Sequence, residues 1–140
     1  KALGAVEKGG SRPIQDLITY GEKPERKGLT LVDASPGGVE NTTTLAAAGC
    51  QLILFSTGKG NPIGNPVVPT VKVTGNIRTI DNYGDNIDVD LTGVITEDLS
   101  LEDAAGFLCQ ELLEYADGKL TTAEVLGDTE TAVTRIGYTV

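Results

Sequence analysis

The stretch Phe55–Pro69 constrains the fold of this chain more than any other. It lies between an apolar run, Cys50–Phe55, that reads as a buried strand, and a second apolar run, Thr70–Thr74. Between them come Gly58, Gly60 and Gly64, interleaved with Pro62, Pro66 and Pro69. Glycine lets the main chain take positive φ and lets a ligand approach it closely. Proline fixes φ and restricts the residue before it. A connection made this way is stiff and presents its backbone, and Lys59 sets a cation in its middle. Such a loop suits a bound anion, and it equally suits a rigid connection with no ligand.

The flanking patterns predict the elements that hold this loop. Leu29–Asp33 reads as a strand, Val39–Ala48 as a helix stopped by Gly49, and Cys50–Phe55 as the next strand. Strand, helix and strand within about 25 residues predict a βαβ unit with parallel strands and a right-handed crossover. Thr70–Thr74 is a further strand, Ile77–Asn82 one or two helical turns, and Asp88–Ile95 a short edge strand or extended connection. Ser100 is placed to cap a helix, with Asp103 three residues on. Leu101, Ala104, Ala105, Leu108, Leu112 and Tyr115 give that helix one apolar face, and Asp117-Gly118 ends it. Thr121 or Thr122 caps a short helix through Leu126, closed by Gly127, and Thr131–Val140 reads as a last strand. Upstream, Lys1–Gly10 looks like the tail of a helix. Pro13–Tyr20, with Ile14, Leu17 and Ile18, looks like a short helix, and Gly21–Gly28 like a charged linker. The expectation is a single α/β domain: three layers, Rossmann-like, a mainly parallel sheet with flanking helices. It spans residues 29–140, with residues 1–28 as a helical lead-in and linker from a preceding domain.

In open parallel sheets ligands bind beyond the carboxyl ends of the strands, where Thr57, Gly58, Lys59, Gly60 and Asn61 fall. The glycines make no dinucleotide fingerprint, because prolines rather than a helix follow them. No Gly-Lys-Ser or Gly-Lys-Thr phosphate loop is present either. Backbone donors with Lys59 suit a carboxylate or a small hydroxy acid. Ser35, in the Asp33–Thr42 segment after the first strand, could face the same anion, or serve with Asn41 and Thr42 in the turn and cap. Asn76 comes to the same sheet edge, or simply ends its strand. Asp81, Asp85, Asp88 and Asp90, with Asn82 and Asn86, have spacing that can hold a hard cation. The Gly and terminal Glu of a calcium loop are out of place, so a solvated acidic loop is the favoured reading.

A chain of 140 residues is long enough to bury a sizeable core. Its formal net charge of −9 argues against a nucleic-acid or anionic-membrane surface. No apolar run is long enough to span a bilayer, and Lys1–Lys8 lacks a signal-peptide pattern. Cys50 and Cys109, the two cysteines, read as small core residues, which favours the cytoplasm. The chain has no Met, which predicts a piece of something longer, and no His. Without His the commonest general base and metal ligand are missing, so a domain supplying part of a shared active site is the natural expectation.

Several segments together resemble the altronate and galactarate dehydratase family. They are Lys1–Ile14, Gly21–Pro24 followed by Lys27–Leu29, the Phe55–Gly60 block, Pro69–Val73 and the Asp88–Asp90 region. They agree with the family in order and spacing up to about Gly118, while the tail after Leu120 departs from it. The resemblance implies the carboxyl-terminal domain of a metal-assisted hydro-lyase, one that removes water from a sugar acid to leave a 2-keto-3-deoxy acid. In such a reaction the proton α to the carboxylate is abstracted, and a divalent cation, iron or another, helps stabilise the enediolate and the leaving hydroxyl. The ligands of that metal would lie outside this chain. A sulfo-lyase of the same superfamily is the alternative substrate reading. Lys59 stands where the family commonly has Arg, which loses bidentate carboxylate geometry, and Asp90 stands where the family has Asn. On this resemblance Thr57, Gly58, Lys59, Gly60 and Asn61 are expected to bind the carboxylate or hydroxyls of the sugar acid, with Asn76 and Ser35 as second-rank candidates. The partners implied are that small molecule, the preceding domains of the same polypeptide and a second copy of the chain. The fragment alone is expected to be inactive. Two other functions fit the residues: an assembly module docking through Leu101–Tyr115 or the tail, and an independent small-molecule-binding domain.

Overall fold

A computed structural model describes Gly4 and residues 7–133. Five strands and four α-helices lie wholly within the described residues, in the order β1 (Ile14–Ile18), β2 (Leu29–Val32), α1 (Gly38–Ala47), β3 (Ile53–Ser56), β4 (Thr70–Thr74), α2 (Ile77–Tyr83), β5 (Val89–Asp90), α3 (Leu101–Ala116) and α4 (Thr122–Leu126). Single 3₁₀ turns occupy Gly84–Asn86 and Thr92–Val94. Every ladder is parallel, so the chain is an α/β protein.

The strands form two sheets, β1-β2 and β3-β4-β5. Two expectations are corrected here. Pro13–Tyr20 does not form a helix: Ile14–Ile18 is a strand, paired with β2 from Ile14↔Leu29 to Ile18↔Val32, with an irregularity between Ile14 and Asp16. Ile14, Leu17 and Ile18 fit helical spacing, but the backbone of β2 offers ladder bonds that an isolated short helix cannot match. This pairing joins residues on both sides of Gly28. The second correction is to the β2-α1-β3 unit, whose strands share no ladder: β2 is bonded to β1, and β3 to β4. Half of the expected helical tail at Lys1–Gly10 lies outside the described residues, and of the rest Gly4, Glu7 and Lys8 are helical; most of the expected strand Thr131–Val140 also lies outside the described residues.

The remaining elements follow their local chemistry. Ser100 caps α3 by accepting a hydrogen bond from the Asp103 amide. Thr121 caps α4 in a full capping box with Glu124, and Gly127 closes that helix at φ 76°. These pairs satisfy amides that a helix end leaves open. Strand β4 is central in its sheet, and all five of its residues are buried. Val71, Val73 and Val89 pack with Tyr115, and Leu52, Leu91, Leu108 and Leu112 close around them. Thus α3 lies on β4 and β5 through the face its periodicity predicts. That face is longer than what it covers, because Leu101 is 77% exposed. Cys109 is exposed on α3 rather than in the core, and Cys50 is half-buried.

Candidate functional site

The register of β3 on β4 decides what meets what. Ile53 pairs with Thr70 and Ser56 with Val73, and the Thr57 amide continues the ladder to the Val73 carbonyl at 3.0 Å. The two strands therefore end side by side, and Gly58 and Asn76 leave the same edge. The Gly58 carbonyl accepts from the Asn76 side-chain amide at 2.6 Å and from the Thr79 hydroxyl at 2.9 Å. Asn76 also caps α2, its Oδ1 accepting from the Arg78 amide at 3.1 Å. One side chain thus ties the loop after β3 to the start of the helix after β4.

An open pocket of about 660 Å³ lies over this junction, within the range of small-molecule sites. Gly58, Lys59, Asn76 and Thr79 line one part of it, and Arg78, Asn82 and Tyr83 the rest. Lys59 and Arg78 are both exposed. Among the described residues no carboxylate lines the pocket, although the chain has 20 acidic residues against 11 basic ones. The Asn82 side-chain amide donates back to the Arg78 carbonyl at 2.6 Å, which ties it to α2.

The glycines have separate reasons to be there. Gly60 alone of the three takes a left-handed φ, +84°, and a Cβ there would stand 3.0 Å from Tyr83 Cβ and Cγ. Gly64 is required by packing, since a Cβ would come within 2.5 Å of Ala123 Cβ. Gly58 has open space around it. Of the three glycines, Gly60 is thus the one that uses the freedom to take positive φ.

Of the residues read from the sequence, Gly58, Lys59 and Asn76 meet in the pocket. Thr57 and Gly60 support it, through the β4 ladder and beneath Tyr83. Asn61 turns its Oδ1 onto the Ile63 amide at 2.9 Å, in the part of the loop that passes Gly38. Ser35 lies outside the pocket lining. Its hydroxyl is bonded to Glu40, and its carbonyl accepts from the Asn41 side chain at 3.2 Å, which fits the turn role; the expected cap is not made, since Gly37 is the N-cap of α1 and no side chain caps it. Sequence reasoning missed Arg78, Thr79, Asn82 and Tyr83. The available signal was a short helix with polar residues at i and i+4, starting directly after a strand's carboxyl end.

Two more groups were not anticipated. Lys72 is fully buried in β4, its Nζ 3.8 Å from Asp88 Oδ2 and without a hydrogen-bond partner. Burial pushes its pKa below the ordinary value, against the opposing pull of Asp88, Asp128 and Glu124. Asp88 is no part of a solvated loop, for its carboxylate accepts from the amides of Lys72 at 2.6 Å and Thr122 at 2.7 Å. Asp90 accepts from the Thr92 amide at 2.8 Å. Among the described residues no three His, Cys, Asp or Glu side chains come together to hold a metal ion. The described residues therefore do not fit a metal centre.

The fold and pocket define a class: an α/β domain with an open pocket, lined by two cationic side chains, at the carboxyl edge of a parallel sheet. The family model of the D-galactarate/altronate dehydratase C-terminal region matches residues 1–139, and the chain belongs to that family. The match continues well past Leu120, which corrects the expected departure of the tail. The chain is 39% identical to the (2R)-sulfolactate sulfo-lyase subunit beta of Chromohalobacter salexigens, over 97% of this chain and 35% of that protein. It is 36% identical to the altronate dehydratase of Bacillus subtilis, over 99% of this chain and 28% of that protein. Identity to the galactarate dehydratase (L-threo-forming) of Escherichia coli is 27%, over 87% of this chain and 23% of that protein. The chain therefore spans about a third or less of the length of these relatives. No helix among the described residues is long and apolar enough to cross a membrane.

Proposed function

We propose that this chain is the substrate-facing wall of a lyase active site that dehydrates a sugar acid of the altronate or galactarate type to a 2-keto-3-deoxy acid. The observation that carries the reading is the pocket where Lys59, Gly58 and Asn76 meet, with cationic side chains and no carboxylate in its lining. A cation and hydroxyl-directed amides suit the carboxylate and hydroxyls of a sugar acid. The residues here bind and orient. No carboxylate stands among the described residues lining the pocket, and the proton-abstracting group is placed, on this reading, in the rest of the full-length enzyme. The divalent cation that the family resemblance implies would likewise be held elsewhere in that enzyme. A cytoplasmic setting belongs to the same reading.

The experiment is Lys59→Ala in the full-length enzyme. A raised KM or a lost kcat with an unchanged oligomer is the expected result; unchanged kinetics would sink the proposal. The isolated 140-residue chain is expected to turn over neither altronate nor galactarate, and measured turnover would show that it holds the whole site.

Two other readings have an observation behind them. The 39% identity to a sulfo-lyase subunit favours a sulfonated hydroxy acid as substrate, with sulfite rather than water as the leaving group. The exposed Leu101, Leu113 and Phe107 of α3, at 77, 71 and 45%, favour an added role in packing against other domains or a second copy. Leu101→Glu with normal kinetics but an altered oligomer would favour assembly over the substrate role for that helix.

A further inference from the structure

We infer that Arg78 makes the pocket selective for a substrate that carries two acidic groups, one met by Lys59 and the other by the Arg78 guanidinium. The inference rests on the reading of the pocket as the substrate wall and deepens it by naming the substrate class.

Lys59 comes from the loop after β3 and Arg78 from the first turn of α2 after β4, so the two cations reach one cavity from adjacent strand ends. Neither takes part in an ion pair among the described residues, where the pairs are Lys72 with Asp88 and Lys119 with Glu111 and Glu114. In a chain of net charge −9, a cavity with two unpaired cations and no carboxylate has a local field opposite to that of the whole. The Gly58 carbonyl is already occupied by Asn76 and Thr79. The two cations are therefore left for the ligand. A monoanion would leave one of them uncompensated, whereas a second acidic group satisfies both. The roles also divide by geometry. A guanidinium presents a planar fork that matches two oxygens of a carboxylate or sulfonate, while an ammonium is a point charge. The bidentate contact that Lys59 cannot make is thus available from Arg78, on a different element. Dicarboxylic sugar acids and sulfonated hydroxy acids fit this pocket; aldonates with a single carboxylate fill half of it.

The test uses the full-length enzyme, with initial rates on altronate (one carboxylate), galactarate (two) and sulfolactate (a carboxylate and a sulfonate). Calorimetric binding of the non-reacting pair succinate and butyrate gives a readout free of turnover. The wild type should favour a two-acid substrate in kcat/KM, and bind succinate at least tenfold tighter than butyrate. Arg78→Gln should cost the two-acid substrate about tenfold more than it costs altronate, through KM, as expected for one lost charged hydrogen bond. Arg78→Lys should keep part of the preference. Equal losses on one-acid and two-acid substrates, or equal binding of succinate and butyrate by the wild type, would overturn the inference. Lys59→Ala separates the two claims. If it has no effect, the substrate-wall reading fails; if it acts while Arg78→Gln shows no preference, only the two-acid selectivity fails.

Discussion

Lys72 and Asp88 meet at the heart of the three-stranded sheet, Nζ to Oδ2 3.8 Å, with both side chains fully buried. The Asp88 carboxylate also holds the amides of Lys72 and Thr122, and so joins the central strand to the start of α4. Removing one partner leaves an uncompensated buried charge, which typically costs about 3–5 kcal/mol. Asp88→Ala is expected to destabilise the protein by an amount of this order, read as a lowered midpoint in urea. A loss below about 1 kcal/mol would show that the pair carries little.

The same lysine predicts a pH dependence. Its folded-state pKa is lowered, chiefly by burial, from the ordinary 10.5. In the window between that lowered value and 10.5 the unfolded state binds more protons than the folded one, so stability rises with pH there. The wild type should therefore gain on Lys72→Met as pH increases through this window. Tyr115, whose pKa burial raises first of all, works in the opposite direction above pH 10, but it is common to both proteins and cancels in the difference. A wild-type advantage that is flat or falling with pH would contradict this account.

Gly60→Ala is expected to harm both the loop and the pocket. The residue sits at φ +84°, and a Cβ would press on Tyr83 at 3.0 Å. The left-handed conformation alone costs a non-glycine residue about 1–2 kcal/mol. Displaced Tyr83 also lines the pocket, so a raised KM should accompany the lowered melting temperature. Gly58→Ala is the control, because open space surrounds that position; an equal loss of stability in both would argue against the steric explanation.

Gly64→Ala should be destabilising for a different reason. Gly64 is buried, its amide donates to the Asp128 carbonyl at 2.9 Å, and its carbonyl accepts from Glu130 at 3.0 Å. An added methyl would meet Ala123 Cβ at 2.5 Å. Overpacking of this kind costs about 1–3 kcal/mol. Hydrogen exchange should show the loss around α4 and Asp128–Glu130, and unchanged protection there would refute it.

Asn76→Asp tests the tie between loop and helix. An aspartate caps a helix as well as an asparagine does, so α2 should persist. The donor to the Gly58 carbonyl is lost, and a new carboxylate enters a pocket whose charged side chains are Lys59 and Arg78. KM for an acidic substrate should rise by about tenfold, the worth of one charge-assisted hydrogen bond, with circular dichroism unchanged. An unaltered KM would remove Asn76 from the site.

Local chemistry alone predicted much of this protein. Ser100 and Thr121 carry their own capping partners three residues on, so α3 and α4 start where expected. Thr70–Thr74 is a strand with the expected bounds, and the apolar face of α3 meets the core through Leu108, Leu112 and Tyr115. The pocket where Gly58, Lys59 and Asn76 meet was legible as a candidate site because strand ends and glycines mark the carboxyl edge of a parallel sheet. Only tertiary structure could decide the rest. Ile14–Ile18 is a strand because β2 offers it a ladder, and a pattern of Ile14, Leu17 and Ile18 is blind to that partner. Lys72 is buried because its strand is central, and a lysine in an apolar run gives no sign of which neighbours will enclose it. Arg78 joins Lys59 because the register of β3 on β4 brings two strand ends together. Periodicity, capping and turn chemistry act over a few residues, whereas pairing and burial depend on segments distant in the chain. The elements and the loop were therefore readable in advance, and the charge that completes the pocket was not.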